Sequence, residues 1–357
     1  MQIVQDYRRL HAIPELDSTL PKTLSYIKSS LAPLQCRVFS PAAGALCAFF
    51  SFGKQKTVAF RADTDALPIT EETSLPWKSH HHGIMHACGH DGHTAILLEL
   101  ARRIDKEKIF ARNILLIFQP AEETTGGADA ICKSGILEQL GVDAIFALHL
   151  WPGLEKGQIF TKPGFLMSRC SGIDISFTGK GGHIAHCAPG CDALNACCNF
   201  YSRTHYLTNL HPFVLKFGKL NAGTAGNVLC RKADLCGSLR TFREDTENSI
   251  RNALLNLCRQ TEKQTGCRGE IFFSDGYPAV KNNQKLLDSV QKICPVQILD
   301  RAYWTGEDFS FYQQKVPGVY FLLGIGDTPP LHSSNFTFDE TILSAGADFF
   351  FQLCRQI

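Results

Sequence analysis

Residues 86–93 read His86-Ala-Cys88-Gly-His90-Asp91-Gly-His93 and run into Thr94-Ala-Ile-Leu-Leu, the start of an amphipathic helix. A thiolate and an imidazole two residues apart on a short glycine-containing loop are able to face one divalent cation. A structural zinc site closes with four Cys or His ligands in local pairs. No second local pair follows here, so the expected centre is hydrolytic rather than structural. Farther along, Glu122-Glu123 follows Asn113-Ile-Leu-Leu-Ile-Phe118, His149 ends the run Ile145-Phe-Ala-Leu148, and His332 lies a few residues past Val319-Tyr-Phe-Leu-Leu323. Each apolar run has the length and composition of a buried strand. Parallel strands bring their carboxyl ends together, where open α/β sheets place ligand sites. One Cys, one Glu and three His are too many for a single tetrahedral zinc with an open position, and suit two ions sharing a bridge. Of the two adjacent glutamates, one is expected to bind metal and the other to take a proton from activated water. Their spacing does not say which.

The elements that must position these residues alternate along the chain. Helical spacing covers 4–11, 20–31, 94–103 and 128–140, and strand-like runs cover 57–61, 113–118 and 144–148. Helices alternating with continuous apolar strands predict an α/β sheet covered on both faces. Near Pro163-Gly164 the texture changes. An alternating strand at 172–178, a helix at 193–207, strands at 213–220 and 234–241, a helix at 246–263 and a strand at 270–273 follow the ferredoxin-like order of an α+β layer. The α/β pattern returns after Tyr277-Pro278. The expected organisation is one α/β domain, 1–170 with 284–357, interrupted by a smaller α+β domain over 171–283.

Composition narrows the setting. A 357-residue chain with 44% hydrophobic and 20% charged residues has globular composition, and a net charge of +2 carries no bias toward nucleic acid or an acidic membrane. No apolar stretch approaches the ~20 residues of a membrane span. The first residues lack the charged-then-apolar pattern of a signal peptide. Fifteen cysteines without a Cys-x-x-Cys pair read as mostly reduced, buried thiols, and the expected location is cytoplasmic.

Taken together, Met85-His-Ala-Cys88-Gly-His90-Asp91-Gly-His93-Thr94, Gln119-Pro-Ala-Glu122-Glu123, His149-Leu-Trp-Pro152, Gly181-Gly-His183 and Leu331-His332 resemble the dimetal amidohydrolases. That group includes hippurate hydrolase, the indole-acetyl-amino-acid hydrolases and N-acetyldiaminopimelate deacetylase. Arg61-Ala-Asp63-Thr-Asp65 and Thr305-Gly-Glu307-Asp308 fit the same pattern, so the resemblance runs nearly end to end. It implies a metallopeptidase-like catalytic domain with an inserted lid and dimerisation domain. It makes Cys88, His90, Glu123, His149 and His332 the ligands of two divalent ions (Zn, Mn, Co or Ni), with Cys88 as the bridge and Glu122 as the general base. Asp63 and Asp65 become groups that orient ligands. His183 becomes an oxyanion-stabilising residue, often supplied across a dimer interface. Asn227 and Arg240 become lid residues that hold a substrate carboxylate. The implied substrate is a small N-acyl amino acid. A dipeptidase or carboxypeptidase of the same family, or a metal-binding homologue without catalysis, are the alternatives. His86 and His93 are expected to support the site rather than ligate, and His80-His81-His82 to form a solvated loop. The chain departs from its relatives at Cys187-Ala188, where they carry Pro-His, and at Cys230, where they carry a proline. Both departures lie in the inserted domain.

Overall fold

The computed structural model describes residues 1–186, 191–207 and 211–357. Cys187-Ala188 therefore lies outside the described residues. The chain divides into two compact units: Met1–Leu166 with Val280–Ala302 and Glu307–Ile357, and Met167–Ala279 with Tyr303–Gly306.

The first unit is built on an eight-stranded sheet. In chain order its early elements are α1 (Gln2–His11), α2 (Pro21–Leu31), β1 (Arg37–Phe39), β2 (Leu46–Phe50), β3 (Thr57–Asp63), α3 (His90–Glu107), β4 (Asn113–Gln119), α4 (Gly127–Lys133), α5 (Ile136–Gln139), β5 (Val142–Trp151) and β6 (Ile159–Thr161). The sheet runs β1, β2, β4, β3, β5, then the strand Gly318–Gly324, β6 and Gln297–Ile298. β4, β3, β5 and Gly318–Gly324 are mutually parallel, while β2 joins β4 antiparallel. All seven residues of β3, β4 and Gly318–Gly324 are buried, as continuous apolar strands covered on both faces must be. Phe60, Phe146, Phe321 and Phe350 stack through this core. The carboxyl ends of four parallel strands thus open on one edge of a rigid slab.

Three local expectations change. α3 begins at His90, not Thr94, so the metal-loop histidines His90 and His93 belong to the first turn of a helix. Gly89, at φ +82°, makes the corner that starts it. A Cβ on Gly92 would lie 2.8 Å from Leu150 Cδ1, so that first turn packs directly on β5. The helix expected over 128–140 is broken at Ser134-Gly135, with Gly135 at φ +75°, into α4 and α5. The edge pair β1 and β2 was not apparent in the periodicity.

The second unit places strands Arg169–Thr178, Val214–Ala222, Lys232–Thr241 and Arg268–Phe273 in one antiparallel sheet, with the first strand between the third and fourth and the second outside the third. Helices Ala193–Thr204 and Glu244–Thr265 close its core through Ile173, Ile175, Phe177, Phe200, Ile250 and Leu254. This is the ferredoxin-like order. Among the described residues no helix is long and apolar enough to cross a membrane.

α1 is tied to α3 through one imidazole. His11 Nδ1 lies 2.6 Å from Asp91 Oδ2, both buried, and Nε2 lies 3.2 Å from Oε1 of the part-buried Glu71. Burial disfavours the imidazolium, but the two carboxylates outweigh it and raise His11 to about 9. A folded-state value above the unfolded one of roughly 6.5 means the stabilisation is complete below pH ~6.5 and disappears as pH rises through about 9. The urea midpoint should therefore fall between pH 6 and 9.5, by an amount equivalent to at most roughly 3 kcal/mol. His11→Gln should flatten that dependence; an equally steep decline in the variant would show that His11 is not its origin.

Candidate metal centre

Four chain segments leave the parallel strands and converge. β3 ends at Asp63 and leads through Asp65 to Cys88 and His90, β4 leads to Glu122 and Glu123, β5 carries His149 near its end, and Gly318–Gly324 leads to His332. Ligand atoms of Cys88, His90 and His149 lie within 4.8 Å of one another, and so do those of Cys88, Glu123 and His332. The Cys88 thiol belongs to both groups. Ligand atoms of His90, Glu122 and Glu123 form a third such group, so Glu122 stands beside the ligands. The structure thus brings together all six residues that sequence reasoning assigned to the metal ions and the base.

The residues fit a pair of divalent cations. His149 Nδ1 donates to the Leu150 carbonyl at 2.7 Å, so its Nε2 carries the lone pair, 3.4 Å from Cys88 Sγ. His90 Nδ1 donates to the Asp65 carbonyl at 2.9 Å, which leaves its Nε2 as the ligating nitrogen. This is the arrangement in which a carbonyl or carboxylate fixes a ligand's tautomer. His90 Nε2 and Glu123 Oε1 are buried with no hydrogen-bond partner among the described residues. Glu123 Oε1 lies 3.8 Å from His90 Nε2 and 3.1 Å from His332 Nε2, close to both without hydrogen-bond geometry. Orphaned buried polar atoms converging on one point are costly unless something else satisfies them.

The electrostatics point the same way. Burial disfavours a charged His90, yet Asp63, Asp65 and Glu123 raise it to about 10, so positive charge is favoured at that point whether a proton or a metal ion carries it. Burial above all pushes His149 well down, into the neutral form a ligand needs. Burial and the charges of Glu123 and Glu122 push the Cys88 thiol well up, so a thiolate there requires cations. Burial, then Glu307, Glu123 and Asp308, raise Glu122 well above the usual carboxylate range, a direction that favours proton exchange.

Beneath these groups lies a layer that spacing alone had left open. Arg61, with no exposed side-chain surface, donates through Nη1 to Asp63 (2.6 Å), through Nη2 to Asp308 (2.8 Å) and through Nε to Gln119 (2.8 Å), and its Nη2 is 3.0 Å from Glu307. Despite burial, His90, Arg61 and His93 hold Asp63 well below the usual carboxylate range. His93 Nδ1 donates to Asp63 at 2.5 Å and its Nε2 accepts the Leu150 N–H at 2.9 Å, so both nitrogens are engaged. His93 is thereby a support, not a ligand. Asp65 accepts the backbone N–H groups of Glu122 (3.2 Å) and Glu123 (3.1 Å) through its two oxygens, and Oδ1 lies 3.4 Å from His90 Nδ1. Ala121 and His332 adopt φ +59° and +64°, a left-handed backbone uncommon for residues other than glycine. No sequence signal announced these corners. His86 is buried with neither ring nitrogen partnered among the described residues, and burial lowers it to about 4.

Of the remaining predicted residues, all in the second unit, two come together and one does not. Strand Gly182–His183 pairs with Val228–Leu229, and the Ile184 N–H donates to the Asn227 carbonyl at 3.1 Å, so His183 and Asn227 are neighbours. Arg240 pairs with Cys170 at the opposite end of the ladder in which Lys232 pairs with Thr178. Eight residues of strand separate Lys232 from Arg240, about 26 Å at ~3.3 Å per residue. His183 follows Thr178 by five residues in the chain and pairs with Val228 in a separate two-stranded sheet.

The chain belongs to peptidase family M20/M25/M40, whose profile matches residues 59–356. Among its relatives, the N-acetyldiaminopimelate deacetylase of Streptococcus uberis is 35% identical, covering 95% of this chain and 94% of its own length. The N-acetyl-L-cysteine deacetylase of Bacillus subtilis is 31% identical over 100% of this chain and 88% of its own length. A Bacillus subtilis crystal structure described as a dinuclear metal-binding peptidase of the M20 family superposes with a TM-score of 0.87 at 29% identity, covering 99% of this chain and 96% of that one.

Because Cys88 belongs to both ligand groups, Cys88→Ser should lower metal content by more than one ion per chain. His149→Ala and His332→Ala should each remove about one. Equilibrium dialysis with elemental analysis measures this, and a Cys88→Ser protein that keeps its full complement would contradict a shared thiolate.

Proposed function

We propose that this chain is a metal-dependent amidohydrolase that removes an acyl group, with acetyl the first candidate, from a small N-acyl amino acid. The observation that carries this reading is the Cys88 thiol common to two ligand groups with Glu122 beside them. Cys88, His90, Glu123, His149 and His332 are the residues that would hold two divalent ions, Zn, Mn, Co or Ni. When bound, the ions supply Lewis-acid polarisation of the scissile carbonyl and acidify the attacking water. Glu122 accepts the proton of that water and returns it to the leaving amine, which departs neutral. Asp65 holds the backbone of Glu122 and Glu123 in register with His90, so the base and two ligands move as one group. Asp63, clamped by Arg61 and His93, fixes the floor beneath them.

In this reading the first unit is the catalytic domain and the second the lid. His183 stabilises the oxyanion, and Asn227 and Arg240 hold the substrate carboxylate. An N-acyl amino acid is far shorter than the ~26 Å strand between Lys232 and Arg240. As the resemblance implies, one substrate meets His183 and Arg240 from different copies, in a homodimer assembled through the lid. A cytoplasmic location accords with fifteen cysteines, which a reducing compartment keeps as thiols.

Glu122→Gln should lower kcat by about 10³-fold or more while metal content stays near wild type, as measured by steady-state release of the free amine with elemental analysis. Near-normal turnover would remove Glu122 as the base. Mixing His183→Ala with Arg240→Ala chains under conditions of subunit exchange should restore activity to about a quarter of wild type, because half of the dimers then hold one intact site. No recovery in mixtures shown to contain mixed dimers would place both residues in the same copy's site.

A further inference from the structure

We infer that Gly306 sets the carboxylate specificity of the enzyme by leaving open the space that the Arg240 guanidinium and the Cys170 thiol occupy beside it. This rests on the reading of Arg240 as the carboxylate anchor.

Three sides of this corner are fixed. Arg240 and Cys170 face each other across the antiparallel pair. Cys170 is locked on its other side by Tyr277, to which its N–H donates at 3.1 Å and from which its carbonyl accepts at 2.9 Å. The segment carrying Gly306 is held by Ser168, whose N–H donates to the Tyr303 and Thr305 carbonyls at 3.1 and 2.9 Å and whose hydroxyl donates to the Trp304 carbonyl at 2.8 Å. Trp304 in turn packs on Phe242, with ring centroids 4.6 Å apart. The remaining side is Gly306. A Cβ there would lie 2.5 Å from Cys170 Sγ, 3.4 Å from Cys170 Cβ and 3.1 Å from Arg240 Nη1. The backbone cannot withdraw, so the thiol and the guanidinium would have to move.

Neighbouring arginines show what is unusual about Arg240. Arg169 and Arg251 both pair with Glu247, whereas among the described residues no carboxylate pairs with Arg240. Its guanidinium lies beside the Cys170 thiol, and a Cβ on Gly306 would come within 3.1 Å of Nη1. A half-buried guanidinium wedged against a thiol and left without an acid is preorganised for an external carboxylate, and holding it in one rotamer reduces the ordering cost of binding. Gly306 is thus a positioning residue that acts on the substrate's carboxylate through Arg240.

The test compares the N-acetyl-L-amino acid that wild-type enzyme turns over fastest with its own carboxamide. Arg240→Ala should abolish the preference for the acid; if the preference survives, Arg240 is not the anchor and the underlying reading fails. If it is abolished, Gly306→Ala should raise KM for the acid by about 10- to 100-fold, the loss of a charge-assisted hydrogen bond, with kcat within about threefold and KM for the carboxamide unchanged. Adding Cys170→Ala, which removes the sulfur that the new methyl would strike, should return KM for the acid toward wild type. Should Gly306→Ala fail to fold, Cys170→Leu crowds the same guanidinium from the opposite side and should give the same acid-selective rise in KM. The inference is overturned if the crowding variant changes acid and carboxamide alike, leaves KM for the acid within about twofold of wild type, or is not relieved by Cys170→Ala in the Gly306→Ala background.

Discussion

The structure of the first unit depends on managing negative charge at one edge of a parallel sheet. Asp63, Glu307 and Asp308 surround the single guanidinium of Arg61, with Asp65, Glu122 and Glu123 close above. One buried cation cannot neutralise this many carboxylates, and an unpaired buried charge is expensive. The consequences are visible: burial and Glu307 outweigh Arg61 and push Asp308 up to about 8. Above that layer the imbalance is met by positive charge at His90 and by the convergence of Cys88, His90, Glu123, His149 and His332, whose side chains could hold metal ions. The floor keeps the ligands rigid, and the surplus charge makes the place between them attractive to cations.

Rigidity comes from where the ligands are attached. His149 is inside a strand, His90 in the first turn of an 18-residue helix, and Glu122 and Glu123 hang from Asp65 by their backbone amides. Two left-handed corners, Ala121 and His332, fall at this site, the first next to Glu122. Backbone conformations of this kind persist only where the surroundings hold them, and they are found preferentially at functional sites.

Much of this was legible in the sequence, for identifiable reasons. The strands bearing the ligands are continuous apolar runs because both faces of their sheet are covered, and such runs end abruptly at the polar residues that do chemistry. The α+β insertion was readable because its strands alternate instead. Elements shaped by tertiary contacts were harder to see. α3 starts at His90 because Gly89 turns the chain and Gly92 admits Leu150, neither of which appears as periodicity. The roles of Arg61, Gln119 and His93 depend on partners 30 to 247 positions away. The arrangement in the second unit was invisible for a related reason: only the strand register puts Arg240 opposite Cys170 in one sheet and His183 opposite Val228 in another.

The central claim is that a single thiolate joins two metal ions held by four other side chains. X-ray absorption at the metal edge, on protein loaded with two equivalents of zinc, tests it most directly. The account predicts sulfur in the first shell of both ions, an average of one sulfur per zinc at ~2.3 Å, together with a metal–metal vector of roughly 3.5–4 Å. A first shell of nitrogen and oxygen alone, or one zinc per chain with no neighbouring metal, would contradict it.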